Sequence, residues 1–421
     1  MARNRTMVGL VFLTFFVMSL ITNILNPLIP DIISSYRATL TAAALLPLSL
    51  FIAYGVISIP AGFWVERFAE KPVMVAAFLA TMAGTLSFAL FPAYGVAIAS
   101  LFVIGAGMTV LQVAINPLLR VAGGEEHFAY NSTLAQLIFG LASALSPLLY
   151  SYLVENLSGA SQQRNPLLAV LAAVTPARLP WVSVYWIFSA CCIVMVLVIA
   201  WLKFPLVERT EGERAGSVQM YAALLRKPLV WFYFLSIFCY VASEQGTSNW
   251  ISEFLFRYHG YDPHTTGASA VAWFWGLMTA GCLVGMGLLK LFDSRKVLIA
   301  FSIAALLCLT AALFGSSRVA LYAFPSVGLF ASVMWPVLIS LALNSVSEHH
   351  GPFTGILSTG IVGGAAGPFI IGQIGDHFGL RAGLCFLYLT FGCVLSVGFW
   401  AKPLITNATV QLKKAVAERG T

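Results

Sequence analysis

The feature that most constrains this chain is a series of apolar stretches, each long enough to cross a membrane as a helix. A helix needs roughly 20 mostly apolar residues to span the hydrocarbon of a bilayer. The twelve stretches that meet this requirement are 8–30, 41–64, 72–91, 96–119, 131–154, 181–204, 229–256, 266–290, 297–314, 319–343, 354–375 and 382–401. Only 9% of the residues are charged, against about 25% in a soluble domain. We therefore predict an all-α membrane protein with twelve transmembrane helices.

The lysine and arginine residues predict the orientation of these helices. If the N-terminus is cytoplasmic, most of the 23 basic residues fall on the cytoplasmic side, in keeping with the positive-inside rule. The six that fall on the outer side are Arg37, Arg164, Arg178, Arg257, Arg318 and Arg381. We expect a multi-pass protein of the plasma (bacterial inner) membrane with both termini cytoplasmic. The net charge of +7 is explained by this topology, and no basic soluble face for a nucleic acid is predicted.

The chain carries no motif typical of an enzyme or of a metal centre. No HExxH, phosphate-binding loop or Ser/His/Asp set is recognisable in the sequence. The seven cysteines lie inside the apolar stretches without CxxC spacing, which predicts neither a disulfide framework nor a zinc site. We therefore expect no enzymatic activity and no cofactor other than a coupling ion.

The two halves of the chain repeat each other. The polar segment 203–228 separates six apolar stretches from six, which divides the chain into residues 1–204, a cytoplasmic linker 205–227, residues 228–402 and a cytoplasmic tail 403–421. Matching landmarks recur at offsets of 219 to 225 residues, in the pairs Gly62 and Gly287, Lys71 and Lys296, Pro117 and Pro336, and Pro147 and Pro368. Parallel six-helix repeats build one large class of transporters. The sequence thus predicts two pseudo-symmetric six-helix halves with a solute site between them.

The outer loop 155–180 is the longest outside the membrane and contains the short apolar run PLLAVLAAVTP (166–176). This run is too short to cross a bilayer. Three alternatives stay open: it lies in the membrane interface, covers the mouth of the protein, or is disordered.

One carboxylate, Glu244, lies near the middle of the seventh apolar stretch, in YVASEQGTSNWISEF (240–254). No Lys or Arg is predicted at membrane depth to neutralise it, and a charge at a helix centre costs roughly 2.5–3.5 kcal/mol on insertion scales. Its counter-charge is expected to be a proton, Na+ or a ligand that binds and leaves, which makes Glu244 the candidate cation-coupling residue and a possible Na+ ligand. The alternative is a permanently protonated acid that bonds between helices. The polar residues 245–249 predict local unwinding beside a water-filled cavity.

Amide side chains at membrane depth are candidate solute ligands, because an amide both donates and accepts hydrogen bonds. Asn23 stands 221 residues before Glu244, at the repeat-equivalent position, so we assign it to cation coupling as well as to binding. The two tryptophans of VAWFWG are candidates for stacking on a ligand. The candidate solute-binding residues are Asn23, Asn26, Gln112, Asn116, Gln136, Asn249, Trp273 and Trp275. Alternatively, the amides bond only to one another.

Several motifs resemble those of the major facilitator superfamily. GFWVERFAEK (62–71) is similar to the loop motif that follows the second helix in that superfamily. The segments LQVAINPLLRVAG, AQLIFGLASALSP, YVASEQGTSNWISEFL, MWPVLISLALNSV and GIVGGAAGPFIIGQIGDHFG resemble helices four, five, seven, ten and eleven of its fucose–galactose–glucose cation symporter family. The resemblance implies a twelve-helix transporter that moves a sugar together with a cation.

The same resemblance carries family residues onto this sequence. The family acids of helices one and four fall on Asn23 and Gln112, so amides replace both. The glutamine of helix five is retained as Gln136, whereas its neighbouring asparagine falls on Phe139. The helix-seven acid of the glucose–galactose branch matches Glu244. The resemblance therefore favours Glu244 as the coupling residue and does not identify fucose as the solute.

These features favour a secondary active transporter that imports a sugar-like neutral solute with Na+ or H+, one cation per cycle, as a monomer in the lipid bilayer. Amide oxygens beside one carboxylate can ligate Na+, which slightly favours Na+ over H+. Three alternatives stay open: a drug–proton antiporter of the same fold, a facilitative uniporter and a non-transporting sensor. The antiporter is disfavoured because residues 96–112 lack the arginine that such proteins carry in helix four.

Overall fold

The computed structural model describes residues 4–124, 128–158, 166–204, 218–346 and 350–404. Within these ranges the secondary structure is helical and contains no strand, which confirms the predicted fold class. Residues 205–217 of the predicted linker, 405–421 of the predicted tail and 159–165 of the outer loop lie outside the described residues.

Twelve helices of the described residues are long enough to cross a membrane. Eleven of them are also apolar enough; the twelfth has 32 residues and carries the polar run around Glu244. We number them α1 (Arg5–Tyr36), α2 (Leu40–Phe68), α3 (Glu70–Leu90), α4 (Tyr94–Gly123), α5 (Phe128–Ser158), α6 (Pro180–Trp201), α7 (Pro228–His259), α8 (Pro263–Leu291), α9 (Ser294–Phe314), α10 (Ser317–Leu343), α11 (Pro352–Phe378) and α12 (Leu380–Trp400). We call the end of the bundle where α1 ends and α2 begins the outer end, following the predicted orientation.

Two short helices lie outside this set. Val218–Leu225 falls in the predicted linker, and Pro166–Val174 falls in the outer loop. The second buries Leu168 and Leu171 but leaves Leu167 exposed. One side therefore packs on the bundle while an apolar side stays uncovered, as in a helix that lies in the membrane interface. Disorder, one of the three alternatives for this loop, is wrong for residues 166–174.

The polar run of α7 does not unwind its helix, and that prediction is wrong. The helix is continuous over Pro228–His259, and several of its polar side chains are satisfied by carbonyl oxygens one turn earlier; the Thr247 hydroxyl, for example, donates to the Ser243 carbonyl at 2.7 Å. The irregular backbone lies elsewhere. Regular helix stops at Asn23 in α1 and after Ala331 in α10, and it resumes within a few residues in both.

The two halves repeat at the level of backbone packing. In the first half, Gly105 of α4 lies against α2, where an added Cβ would be 2.2 Å from the Leu50 carbonyl oxygen. In the second half, Gly328 of α10 lies against α8, where a Cβ would be 2.3 Å from the Phe274 carbonyl oxygen. The glycines are 223 residues apart and the carbonyls 224, inside the range of offsets predicted from the sequence.

A second pair of contacts follows the same rule. The Ser146 hydroxyl of α5 donates to the Leu20 carbonyl of α1 at 2.9 Å. In the second half, Gly367 of α11 lies against the Ala242 carbonyl of α7. Each half is therefore built on the same close helix contacts, which confirms the predicted pseudo-symmetry.

The halves meet along α2 with α11, along α5 with α8 and where α1 reaches α7. At the outer end they are bridged by hydrogen bonds of Asp31 and Asp376. Toward the inner end, Asn116 of α4 and Gln136 of α5 are exposed. Amides exposed at this depth face water, because lipid would leave them without hydrogen-bond partners. The structure is thus closed at the outer end and accessible from the inner end.

We predict that Gly105→Ala and Gly328→Ala each destabilise the protein, because the new methyl group would overlap a backbone oxygen that cannot rotate away. Overpacking of this kind costs about 1–3 kcal/mol. We expect a lower thermal midpoint in detergent, followed by tryptophan fluorescence. Gly392→Ala is the matched control, since nothing lies within 4 Å of its Cβ position. Midpoints equal to that of the unaltered protein in both variants would contradict the close contacts.

Candidate functional site

Glu244 lies half-buried in the middle of α7 and bonds to neutral groups of its own helix. The Tyr240 hydroxyl donates to Glu244 Oε2 at 2.5 Å, and Gln245 Nε2 donates to Oε1 at 3.1 Å. No ion pair of Glu244 is found among the residues that the structure describes. The carboxylate is therefore held by two donors that carry no charge.

The polar run continues from Glu244 toward the outer end of α7. Asn249 Nδ2 donates to the Gln245 carbonyl at 2.8 Å and lies 3.3 Å from Gln245 Oε1. The Gln245 side chain also packs where α2 meets α11, since a Cβ on Gly364 would lie 3.0 Å from Phe51 and 3.2 Å from Gln245 Cγ. This run of side chains thus reaches the boundary between the two halves.

Asn23 and Asn26 lie at the break in α1, and both are buried. Asn23 Nδ2 donates to the Ser143 hydroxyl of α5 at 2.9 Å, and Ser143 in turn lies 2.7 Å from the Ser19 hydroxyl. Within the described residues, the hydrogen bond of Asn23 goes to α5 and not to Glu244. The structure therefore does not bring these two predicted cation-coupling residues into one network.

The remaining predicted amides lie toward the inner end. Gln112 is half-buried and Asn116 exposed on the same face of α4, and Asn116 Nδ2 donates to the Gln112 carbonyl at 3.3 Å. Gln136 is exposed on α5. Among the residues that the structure describes, the bond of Asn116 is the one side-chain hydrogen bond of these three residues.

The two predicted tryptophans of α8 point in different directions. Trp275 is buried and meets Phe274 edge to face, with ring centroids 5.4 Å apart. Trp273 is 64% exposed on the same exposed face as Ala280 and Val284. Residues two apart on a helix lie about 200° apart around its axis, so only one of the pair can face inward. The structure does not bring Trp273 to the site.

Four of the predicted residues share an unusual feature: a buried polar atom without a partner. These atoms are Asn23 Oδ1, Asn26 Nδ2, Asn249 Oδ1 and Trp275 Nε1, judged over the described residues. Most buried polar groups in proteins are hydrogen-bonded. Seven further buried atoms of the described residues also lack a partner. The four named here are those that belong to the predicted solute-binding residues, and they lie on α1, α7 and α8, in both halves of the protein.

The sequence reasoning missed two contributors to the site. Tyr240 donates to Glu244, and its ring lies 6.0 Å from that of the half-buried Trp335 on α10. Gln245 links Glu244 to Asn249. The spacing of Tyr240 and Glu244, four residues apart on a helix, could have identified the first of these contacts.

Comparison with known proteins places the chain among transporters. The profile of the Major Facilitator Superfamily matches residues 11–362. The glucose/galactose transporter of Brucella abortus biovar 1 (strain 9-941) is 29% identical over 397 residues, 90% of this chain and 91% of that protein. The L-fucose-proton symporter of Escherichia coli (strain K12) is 26% identical over 403 residues, 88% of this chain and 89% of that protein. These relatives confirm the resemblance carried by the motifs.

Solved structures share the fold. FucP, a major facilitator transporter crystallised in the outward conformation, superimposes with a TM-score of 0.66 at 21% identity, over 94% of this chain and 98% of that chain. A bacterial homologue of the human lysosomal transporter Spinster, inward-facing and occupied, gives 0.72 at 15% identity, over 94% and 95%. The family and these relatives are transporters and not enzymes, as the motif analysis predicted. The chain belongs to the Major Facilitator Superfamily.

Proposed function

We propose that this protein is a secondary active transporter that imports a neutral, sugar-like solute together with a cation. The observation that carries the proposal is Glu244, a carboxylate at membrane depth whose described partners are neutral donors. A charge held in this way is expensive unless a ligand neutralises it for part of the cycle. Relatives named glucose/galactose transporter and L-fucose-proton symporter support a sugar as the solute. The protein acts as a monomer in a bacterial inner membrane, with both termini cytoplasmic.

We take H+ rather than Na+ as the coupling ion, against the slight preference drawn from the sequence. The Tyr240 hydroxyl donates to the carboxylate at 2.5 Å, and a protonated Glu244 can donate to the same phenol oxygen, so the contact survives both states. Na+ would need oxygen atoms turned toward Glu244. Gln245 presents its N–H there, while its side-chain oxygen faces Asn249. This arrangement suits a proton, which needs no shell of oxygen ligands.

The unpartnered atoms of Asn23, Asn26, Asn249 and Trp275 support a solute rich in hydroxyl groups. An unsatisfied buried polar group costs roughly 1–3 kcal/mol, and a sugar hydroxyl can both donate and accept, as these atoms require. Donors and acceptors on α1, α7 and α8 draw both halves of the protein onto one solute. Gln112, Asn116 and Gln136 line the route between this position and the inner opening.

Protonation of Glu244 couples transport of the proton to transport of the solute, because it affects how the two halves move. A neutral Glu244 lets the halves close around the site without burying a charge, which biases the states that can interconvert. In the outer-closed state described here, Glu244 is half-buried, and we expect it to release its proton to the inner side. Solute and proton then leave through the same opening.

The direct test is uptake of a panel of sugars into proteoliposomes, with a pH gradient and a Na+ gradient imposed separately. We expect at least one sugar to accumulate when the lumen is alkaline and not when Na+ alone is imposed. Accumulation driven by Na+ alone would show that the coupling ion is Na+ and not H+. Uptake indifferent to both gradients would make the protein a uniporter.

We predict that Glu244→Gln abolishes proton-driven accumulation but preserves exchange of labelled for unlabelled solute. The amide keeps the size and hydrogen bonds of the side chain but cannot take up a proton, and exchange requires no net proton movement. Both activities are measured in the same proteoliposomes. Glu155→Gln, the same change at an exposed position on α5, is the control and leaves accumulation intact. Concentrative uptake by Glu244→Gln would remove this residue from the coupling mechanism.

We predict that Gln112→Ala and Asn116→Ala raise the apparent KM for the solute without lowering thermal stability, and that Trp275→Phe raises it with some loss of stability, because the indole is buried. Each change removes hydrogen bonds worth roughly 0.5–1.5 kcal/mol net, which corresponds to about a two- to tenfold rise in KM. Trp273 lies on the exposed face of α8, away from the site. Trp273→Phe therefore leaves KM unchanged and controls for the loss of an indole. Unaltered KM values in the first three variants would place the solute elsewhere.

A further inference from the structure

Asp31, at the outer end of α1, joins the two halves of the protein. The Tyr150 hydroxyl of α5, in the same half, donates to Asp31 Oδ2 at 2.7 Å. His264 Nε2 of α8, in the other half, lies 2.9 Å from Asp31 Oδ1. The Asp31 side chain is only 13% exposed. Tyr150 therefore holds the carboxylate in position, and His264 connects it to the second half.

Asp376, at the outer end of α11, makes a second connection between the halves. Here the carboxylate belongs to the second half and its donors belong to the first. Its two carboxylate oxygens accept from the backbone N–H groups of Leu40 and Thr41, at 2.8 Å and 2.9 Å. These groups lie in the first turn of α2, where N–H groups have no partner within the helix and the helix dipole favours a negative charge. The second half thus caps a helix of the first half.

The backbone of α11 can approach the start of α2 closely. A Cβ on Gly372, one turn before Asp376, would lie 2.8 Å from the Leu40 carbonyl oxygen. Only a residue without a side chain lets α11 come this close to the start of α2. The contact between Asp376 and α2 is therefore part of a fitted surface rather than a chance meeting of two loops.

We propose that Asp31 and Asp376 are two outer latches, which hold the outer end closed and must both release their partners before solute can enter from outside. Each latch is a carboxylate of one half bonded to donors of the other half, so any rocking of the halves that opens the outer end breaks both. The proposal rests on alternating access and not on the identity of the solute or of the cation. It can therefore fail while the proposed function stands, and the reverse.

Carboxylates suit this task because they form strong hydrogen bonds in the closed state of the protein and can bond to water instead in the open state. Hydrogen bonds to a charged acceptor are roughly twice as strong as those between neutral groups. Opening of the outer end admits water, which solvates the released carboxylates, His264 and the N–H groups of α2. The latches therefore stabilise the closed state without trapping an unpaired charge in the open one.

Asp262 provides the matched control. It lies beside His264 and accepts from the His264 backbone N–H at 2.7 Å, but both residues belong to the second half. The same carboxylate lies 3.8 Å from His264 Nδ1. Asp262→Asn removes its negative charge, keeps an oxygen acceptor for the His264 backbone N–H and leaves both hydrogen bonds of Asp31 in place. An effect of charge alone would appear in this variant too, whereas an effect of the latches would not.

The test is the distance between the halves at the outer end, measured by double electron–electron resonance on the full chain in lipid nanodiscs. Spin labels are attached at Ala93→Cys, between α3 and α4, and at Ser316→Cys, between α9 and α10, both exposed positions. The seven native cysteines are replaced beforehand. No solute is needed, so the measurement is independent of transport.

We expect Asp31→Ala and Asp376→Ala each to raise the ratio of long to short distances about tenfold, the scale of a lost charged hydrogen bond, and the double variant to raise it further. Asp31→Asn and Asp376→Asn keep the side-chain volume and shift the ratio in the same direction, which covers an alanine variant that fails to fold. His264→Gln, which keeps a donor, stays closer to the unaltered protein than His264→Ala. An unchanged distribution in the double variant, or an equal shift in Asp262→Asn, would overturn the proposal.

Discussion

A polar group inside a bilayer has no water to bond with, and this constraint organises the whole molecule. It makes every described crossing a helix, in which the backbone satisfies itself. It also requires partners for the polar side chains of α7, and side chains such as Thr247 find them on their own helix. Among the described residues, regular α-helix is interrupted inside α1, α10, α11 and α12, over a few residues in each. The requirement is unmet within the described residues at Asn23 and Asn249, for example, and in the function we propose the solute supplies the missing hydrogen bonds.

In the mechanism we propose, closure, solute binding and release take place at three depths of the bundle. Residues along α5 contribute to each of them. Near its outer end, Tyr150 bonds to Asp31, which closes the protein. Deeper, Ser143 bonds to Asn23 in the solute layer. Still closer to the inner end, Gln136 is exposed to the opening. In this mechanism each half moves as a unit against the other.

Some functional features were readable from local sequence and others were not. Glu244 stood out because a carboxylate within an apolar stretch is conspicuous wherever the helix points. The two tryptophans of α8 have nearly the same neighbours in sequence, and only helix rotation separates the buried Trp275 from the exposed Trp273. Asp31 and Asp376 resemble ordinary helix ends, since their partners in the other half lie 233 and 336 residues away in the chain.

The sequence by itself determined the membrane class, the twelve crossings, the six-plus-six repeat and the depth of Glu244, because hydropathy, length and period are properties of local segments. The tertiary structure decided which end is closed and which side chains face one another across the halves. These features depend on how each helix is rotated and tilted against its neighbours. That arrangement is set by packing between segments hundreds of residues apart, which no local pattern encodes.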